Sequence, residues 1–143
     1  LLVGIGDGSV RTKNSGRTRL IVWAWLPVVL YALAIFYFSS MSNPPTVGGV
    51  DFGKALHVLE YAGLGFLFLR AVEKGSRLPN RSTKVLLQLA FLSAFLYGFT
   101  DEVHQLFVPG RHFVVTDMFI DAFGGFVGGA AYVSIKSKLR RLP

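Results

Sequence analysis

Four apolar stretches alternate with short polar ones along the chain. Residues 20–38 are continuously apolar, long enough to cross a ~30 Å hydrocarbon core at about 1.5 Å per residue. Trp23 and Trp25 sit near its basic end, where amphipathic rings favour the interface, and Pro27 is expected to kink it. A Ser-, Pro- and Gly-rich loop follows over residues 39–49. Residues 52–72 form a second span whose first turns are polar (Lys54, His57, Glu60, Tyr61) and whose second half is apolar. A basic loop over residues 70–84 leads to a third span that ends near residue 107 on Asp101-Glu102-Val103-His104-Gln105. Val108-Pro109-Gly110-Arg111-His112 reads as a tight turn. The fourth span runs over residues 116–135, with Thr116 as its expected N-cap and Asp117 in the first turn, where the helix dipole favours an acid. The pattern predicts an all-α polytopic membrane protein, a bundle of four transmembrane helices over residues 20–135. Basic tails at residues 1–19 and 136–143 flank it, the first expected to be flexible. The first span lacks a small-residue cleavage motif and reads as retained rather than removed.

Composition agrees with that assignment. Of 143 residues, 52% are hydrophobic and only 16% charged, against roughly 25% charged in soluble domains. Cysteine is absent, which excludes disulfides and thiolate chemistry.

A net charge of +7 would raise nucleic acid as a partner of a soluble protein. Here its distribution points elsewhere. Thirteen of the fifteen Lys and Arg fall in the two tails and in the loop between spans two and three. The positive-inside rule then puts both termini in the cytoplasm of a plasma membrane, taken as bacterial. The basic segments face anionic lipid heads, and nucleic acid drops out as a partner. Six of the eight acids and all three histidines fall on the opposite, outer side.

Helical phase groups these polar residues. At about 100° per residue, Asp51, Lys54, His57, Tyr61 and Gly65 share a face of span two, with Glu60 at its edge. Ala90, Ala94, Tyr97, Gly98, Asp101, His104 and Gln105 share one of span three, with Glu102 beside it. Asp117, Asp121, Gly124, Gly128 and Ala131 share one of span four. Each face is polar at one end and small further in. Small residues let transmembrane backbones approach, as in Gly124-x-x-x-Gly128 and Gly125-x-x-x-Gly129, so the three faces are expected to meet around an outward-opening polar pocket.

Three chemistries suit such a pocket. In acid–base work His104, with Asp101 or Glu102, forms the proton-transferring unit, and His57 is a second candidate. Lys54, His57 and Arg111 would hold an anionic group, with Tyr61, Gln105, Asp117 and Asp121 completing the substrate-binding set. The second is a divalent metal on His57, Glu60, Asp101, His104 and Asp117, although no dense ligand motif such as His-Glu-x-x-His is present. No other cofactor is expected. The third is binding of a headgroup without chemistry. Beside these stands a purely structural role, an ion-pair clasp with Arg111 bridging carboxylates. His112 reads as a solvated turn residue, and Tyr61 and Tyr97 as packing groups with satisfied hydroxyls.

Lys54-x-x-His57-x-x-x-Tyr61 with Gly65, then Asp101-Glu-x-His-Gln-x-Phe-x-Pro-Gly-Arg111, then Asp117 and Asp121 before paired glycines, resembles the VanZ-like family of small membrane proteins over about residues 50–130. The chain departs from that pattern at Gly53, where the family usually has Asp, and at Asp121, where Asn is frequent. The resemblance implies a cell-envelope role, since the family's namesake is associated with low-level teicoplanin resistance. Three functions follow as alternatives. One is an outer-face hydrolase or transferase acting on a lipid-linked or cell-wall substrate. Another is a non-catalytic envelope factor that binds a headgroup, an antibiotic target or a partner protein. The third is a small transporter, disfavoured because no ionisable group lies in the inner halves of the spans. Leftover small-residue faces make a homo-oligomer a further expectation.

Overall fold

A computed structural model of the chain describes residues 8–42, 53–75 and 81–141. Four helices account for most of them: α1 (Gly8–Ser39), α2 (Gly53–Gly75), α3 (Thr83–Gln105) and α4 (Val115–Leu139). No strand occurs among the described residues. Each helix holds a stretch long and apolar enough to cross a membrane: Gly16–Ser39, Lys54–Gly75, Thr83–Gln105 and Val115–Leu139. These stretches have 22 to 25 residues, or about 33–38 Å at 1.5 Å per residue. α1 and α3 run towards one end of the bundle, and α2 and α4 run away from it. The end of α1, the start of α2, the end of α3 and the start of α4 therefore meet there.

Several boundaries move relative to the sequence reading. α1 begins at Gly8, so most of the segment read as a tail is helical, and it remains helical through Pro27. Ser39, read as the first loop residue, is the last residue of α1 and is buried. Thr116 is not the N-cap of α4. That position belongs to Val114, which is extended (φ −125°, ψ 101°) and has no capping side chain. Asp117 does lie in the first turn. α3 is capped by Ser82, whose hydroxyl accepts from the Val85 N–H at 3.4 Å. The turn after α3 closes as expected: the Arg111 N–H donates to the Val108 carbonyl at 3.1 Å, and Gly110 takes the positive φ of 81° that glycine accommodates without strain.

The helices pack most extensively where α4 meets α2 and α3. Two glycine ridges of α4 explain why. Gly124 and Gly128 face the α2 backbone: a Cβ at Gly128 would collide with the Ala62 carbonyl, and one at Gly124 would lie 2.7 Å from the Val58 carbonyl. Gly125 and Gly129 face Ala90 and Ala94 of α3, and Gly65 of α2 lies against the Gly125 backbone. With no hydrophobic drive between helices in lipid, such close approach supplies the dispersion contact that holds them. α1 is more peripheral. It packs Ala24, Val28 and Ile35 inward against Tyr61 and Leu64 of α2, and is pinned to α3 by the Tyr97 hydroxyl, which donates to the Ala32 carbonyl at 2.6 Å. Ala131, placed on the inner face of the fourth span by phase, is exposed. Large apolar side chains such as Leu33, Phe91, Leu96, Phe119 and Phe123 also point outward, as a lipid-facing surface requires.

Candidate functional site

The polar ends of the four helices converge at one end of the bundle. Asp101, Glu102, Gln105 and Asp121 are all buried there, with Tyr61 wholly inaccessible beside them. The centre of the group is a pair between α2 and α4: His57 Nδ1 lies 2.9 Å from Asp121 Oδ1. The Asp121 side chain is 1% exposed and that of His57 19%, so the histidine reaches from a sealed acid towards the outside. A carboxylate only accepts hydrogen bonds. With Asp121 ionised, Nδ1 carries the proton, and Nε2 keeps a free lone pair when the ring is neutral. Space for Asp121 is made by α3: a Cβ at Gly98 would lie 2.7 Å from Asp121 Oδ2.

The other candidates have different tasks. Glu102 Oε2 accepts the Val114 N–H at 2.6 Å, so α3 supplies the cap that the α4 N-terminus lacks. The Gln105 amide donates to Asp101 Oδ2 and to Ser39 Oγ, both at 3.1 Å, joining α3 to the end of α1. His104 does not bond to Asp101 or Glu102, as the acid–base unit expected from the sequence would require. Its Nε2 meets Ser40 Oγ at 3.0 Å and its ring packs on Phe36, with centroids 4.1 Å apart. Arg111 does not bridge carboxylates among the described residues. Its Nε donates to the Met41 carbonyl at 3.1 Å, which ties the turn after α3 to the end of α1. Lys54 is exposed one turn out from His57, and His112 is exposed in the turn as anticipated. Glu60 and Asp117 are half-buried at the rim. Asp51 lies outside the described residues.

A metal centre on His57, Glu60, Asp101, His104 and Asp117 is not assembled: among the described residues, no three His, Asp or Glu side chains come together to hold an ion. The Tyr97 hydroxyl is satisfied as expected, and the Tyr61 hydroxyl is buried against the Asp121 carboxyl. Around it Asp101, Glu102, Asp117 and Asp121 gather four carboxyl groups at this end of the bundle. Like charges gathered at one end of a small bundle repel one another, an arrangement that helix packing alone does not require.

Sequence reasoning missed the contribution of α1. Ser39, Ser40 and the Met41 carbonyl hold Gln105, His104 and Arg111. The available signal was the polar Ser39-Ser40 pair directly after an apolar span, which the topology carries to the same end as the acids.

Taken together, these features define a multi-pass membrane protein of four helices with a buried carboxylate–histidine cluster at one end. The VanZ/LLP1 family model matches residues 7–136, and the chain belongs to that family. Neither the curated proteins nor the solved structures compared with it include a match.

Proposed function

We propose that the protein works in the cell envelope, with both termini cytoplasmic and the His57–Asp121 end at the outer face of the plasma membrane. There it acts as an acid–base site on a lipid-linked or cell-wall substrate. The observation that carries this reading is the 2.9 Å pair between a sealed aspartate and a partly exposed histidine on different helices. Asp121 holds the ring with Nδ1 protonated and stabilises the imidazolium once it forms. Nε2 takes the proton of an attacking water or hydroxyl and returns it to the leaving oxygen, which gives hydrolysis or group transfer. Lys54, exposed on the same face one turn outward, holds the anionic part of the substrate. Arg111 contributes its remaining guanidinium N–H groups from the turn. A role in tolerance to glycopeptides such as teicoplanin fits a site acting on cell-wall precursors.

The test is conservative. In a host that depends on the protein for glycopeptide tolerance, His57→Gln and Asp121→Asn are each expected to abolish the phenotype at normal membrane levels. Retention in both would reject the acid–base reading. It would favour a binding factor, for which the tying of Glu102, Gln105 and His104 into helix contacts speaks, and Lys54→Gln would then carry the loss. Reporter fusions to the two tails and to the loop after α1 test the orientation. An extracytoplasmic signal from the C-terminus would overturn it.

A further inference from the structure

The opposite end of the bundle carries a feature that the proposed chemistry does not use. Between α2 and α4 runs a largely apolar groove of about 440 Å³ to which four basic residues contribute. Arg70, Lys74, Lys136 and Arg140 are the basic residues, while Phe66, Tyr132, Ile135 and Leu139 form the apolar wall. Lys136 and Arg140 also line an adjoining groove of about 320 Å³ on the α3 side, with Arg81 and Arg141. The acid within reach is already taken: Glu73 accepts from Lys136 and, at 2.8 Å, from the Tyr132 hydroxyl. Arg70 and Lys74 pair with no carboxylate among the described residues, and Arg140 stands near Glu73 without an ion pair to it. Arg70 and Lys74 lie in the last two turns of α2 and Arg140 just past α4, where helices spanning a bilayer would approach its phosphate headgroups.

We propose that this groove is a binding site for one anionic phospholipid. Its phosphodiester would sit among Arg70, Lys74 and Arg140, and one acyl chain would lie along Phe66, Ile135 and Leu139. Charge and shape both argue for this occupant. Cations bonded to no carboxylate among the described residues call for an anion, and basic pockets between transmembrane helices take anionic headgroups. An apolar wall continuous with the cations calls for a chain attached to that anion, which a free phosphate lacks. Lys136, held by Glu73, fixes α4 against α2 and so keeps the groove open. The site is independent of the His57–Asp121 pair.

The experiment uses the full chain purified in a neutral detergent. Thermal unfolding is followed with added phosphatidylglycerol, with phosphatidylcholine of the same chains, and with glycerol phosphate. Native mass spectrometry counts the lipid retained. Phosphatidylglycerol is expected to raise the unfolding temperature and to leave one molecule bound, while phosphatidylcholine and glycerol phosphate do neither. The triple variant Arg70→Gln/Lys74→Gln/Arg140→Gln is expected to bind at least about tenfold more weakly. A control with the same charge change outside the groove, Arg17→Gln/Arg19→Gln/Lys84→Gln, keeps the bound lipid. The single variants Lys74→Gln and Arg140→Gln, both at exposed positions, repeat the measurement if the triple variant does not fold, and each is expected to bind more weakly than the wild type. Equal loss in the triple variant and the control would overturn the proposal, because diffuse charge would then suffice. Unchanged binding in the single variants, an equal response to phosphatidylcholine, or a full response to glycerol phosphate would also overturn it.

Discussion

The two ends of the bundle each hold an acid on one helix paired with a base on another, and they treat that acid in opposite ways. At the basic end Glu73 is fully engaged, one oxygen with Lys136 and the other with Tyr132. At the polar end Asp121 has one oxygen on His57, with the carboxyl groups of Asp101, Glu102 and Asp117 crowded around the pair. A clasp closes its hydrogen bonds because an unmade one in a low-dielectric interior costs free energy. A clasp also has no use for like charges crowded around it, whereas a site can hold them. The Glu73 cluster therefore shows what a structural ion pair looks like in this fold, and the Asp121 cluster does not follow that pattern. Both ends are joined by the same glycine contacts, so the difference lies in the polar groups and not in the packing.

The largest effect is expected where both ends depend on one contact. Gly128→Val would drive a side chain into the Ala62 carbonyl and separate α4 from α2. Overpacking of this kind costs about 3 kcal/mol or more where the backbone has no room to yield. Size-exclusion profiles of the detergent-solubilised protein should show loss of the folded monodisperse species.

Next comes the comparison itself. Asp121→Asn keeps the shape and a hydrogen bond to His57 but removes the charge that stabilises an imidazolium. Activity should fall by about 10²-fold or more, while the unfolding temperature stays level or rises, because a sealed carboxylate no longer has to be desolvated. If Asp121 were a clasp like Glu73, the same change would lower stability and spare function.

A smaller version of that loss is expected from Gly98→Ala. The added methyl would meet Asp121 Oδ2 and turn the carboxylate away from His57. The phenotype should weaken, with about 1 kcal/mol lost in thermal or denaturant unfolding. Unaltered function in Gly98→Ala would mean that the pair tolerates displacement, which an oriented acid–base unit does not.

At the other end Glu73→Gln should act on stability alone. It keeps a hydrogen-bond acceptor for Tyr132 and loses the charge opposite Lys136, a change of about 1 kcal/mol for a partly exposed pair. Thermal unfolding reads the loss, and the glycopeptide phenotype should stay at wild-type level.

Much of this was legible along the chain. Four runs of apolar residues of membrane length can hardly fold otherwise, because each backbone polar group in hydrocarbon must be satisfied within its own helix. The 3.6-residue period placed Asp101 and Gln105 on one face with Gly98, and Asp121 on one face with Gly124 and Gly128, and the structure buries all of them together. The turn at Pro109-Gly110 was equally local, because a positive φ next to a proline is a property of those two residues. The N-cap of α4 was not legible, because its acceptor, Glu102, comes from the preceding helix, twelve residues upstream.

The sequence by itself determined the number of helices, their inward faces and the gathering of acids and histidines at one end. Periodicity and charge bias within a segment suffice for that. Only the tertiary structure decided who pairs with whom. It gave Asp121 to His57 and not to His104, turned His104 to Ser40 and Phe36, made Glu102 a cap, and brought Ser39 at the end of the first helix and Met41 just after it to the site. Phase fixes the direction in which a side chain leaves its own helix. The partner it meets depends on the rotation, height and crossing of a second helix, and in this chain the glycine contacts between α2, α3 and α4 set those.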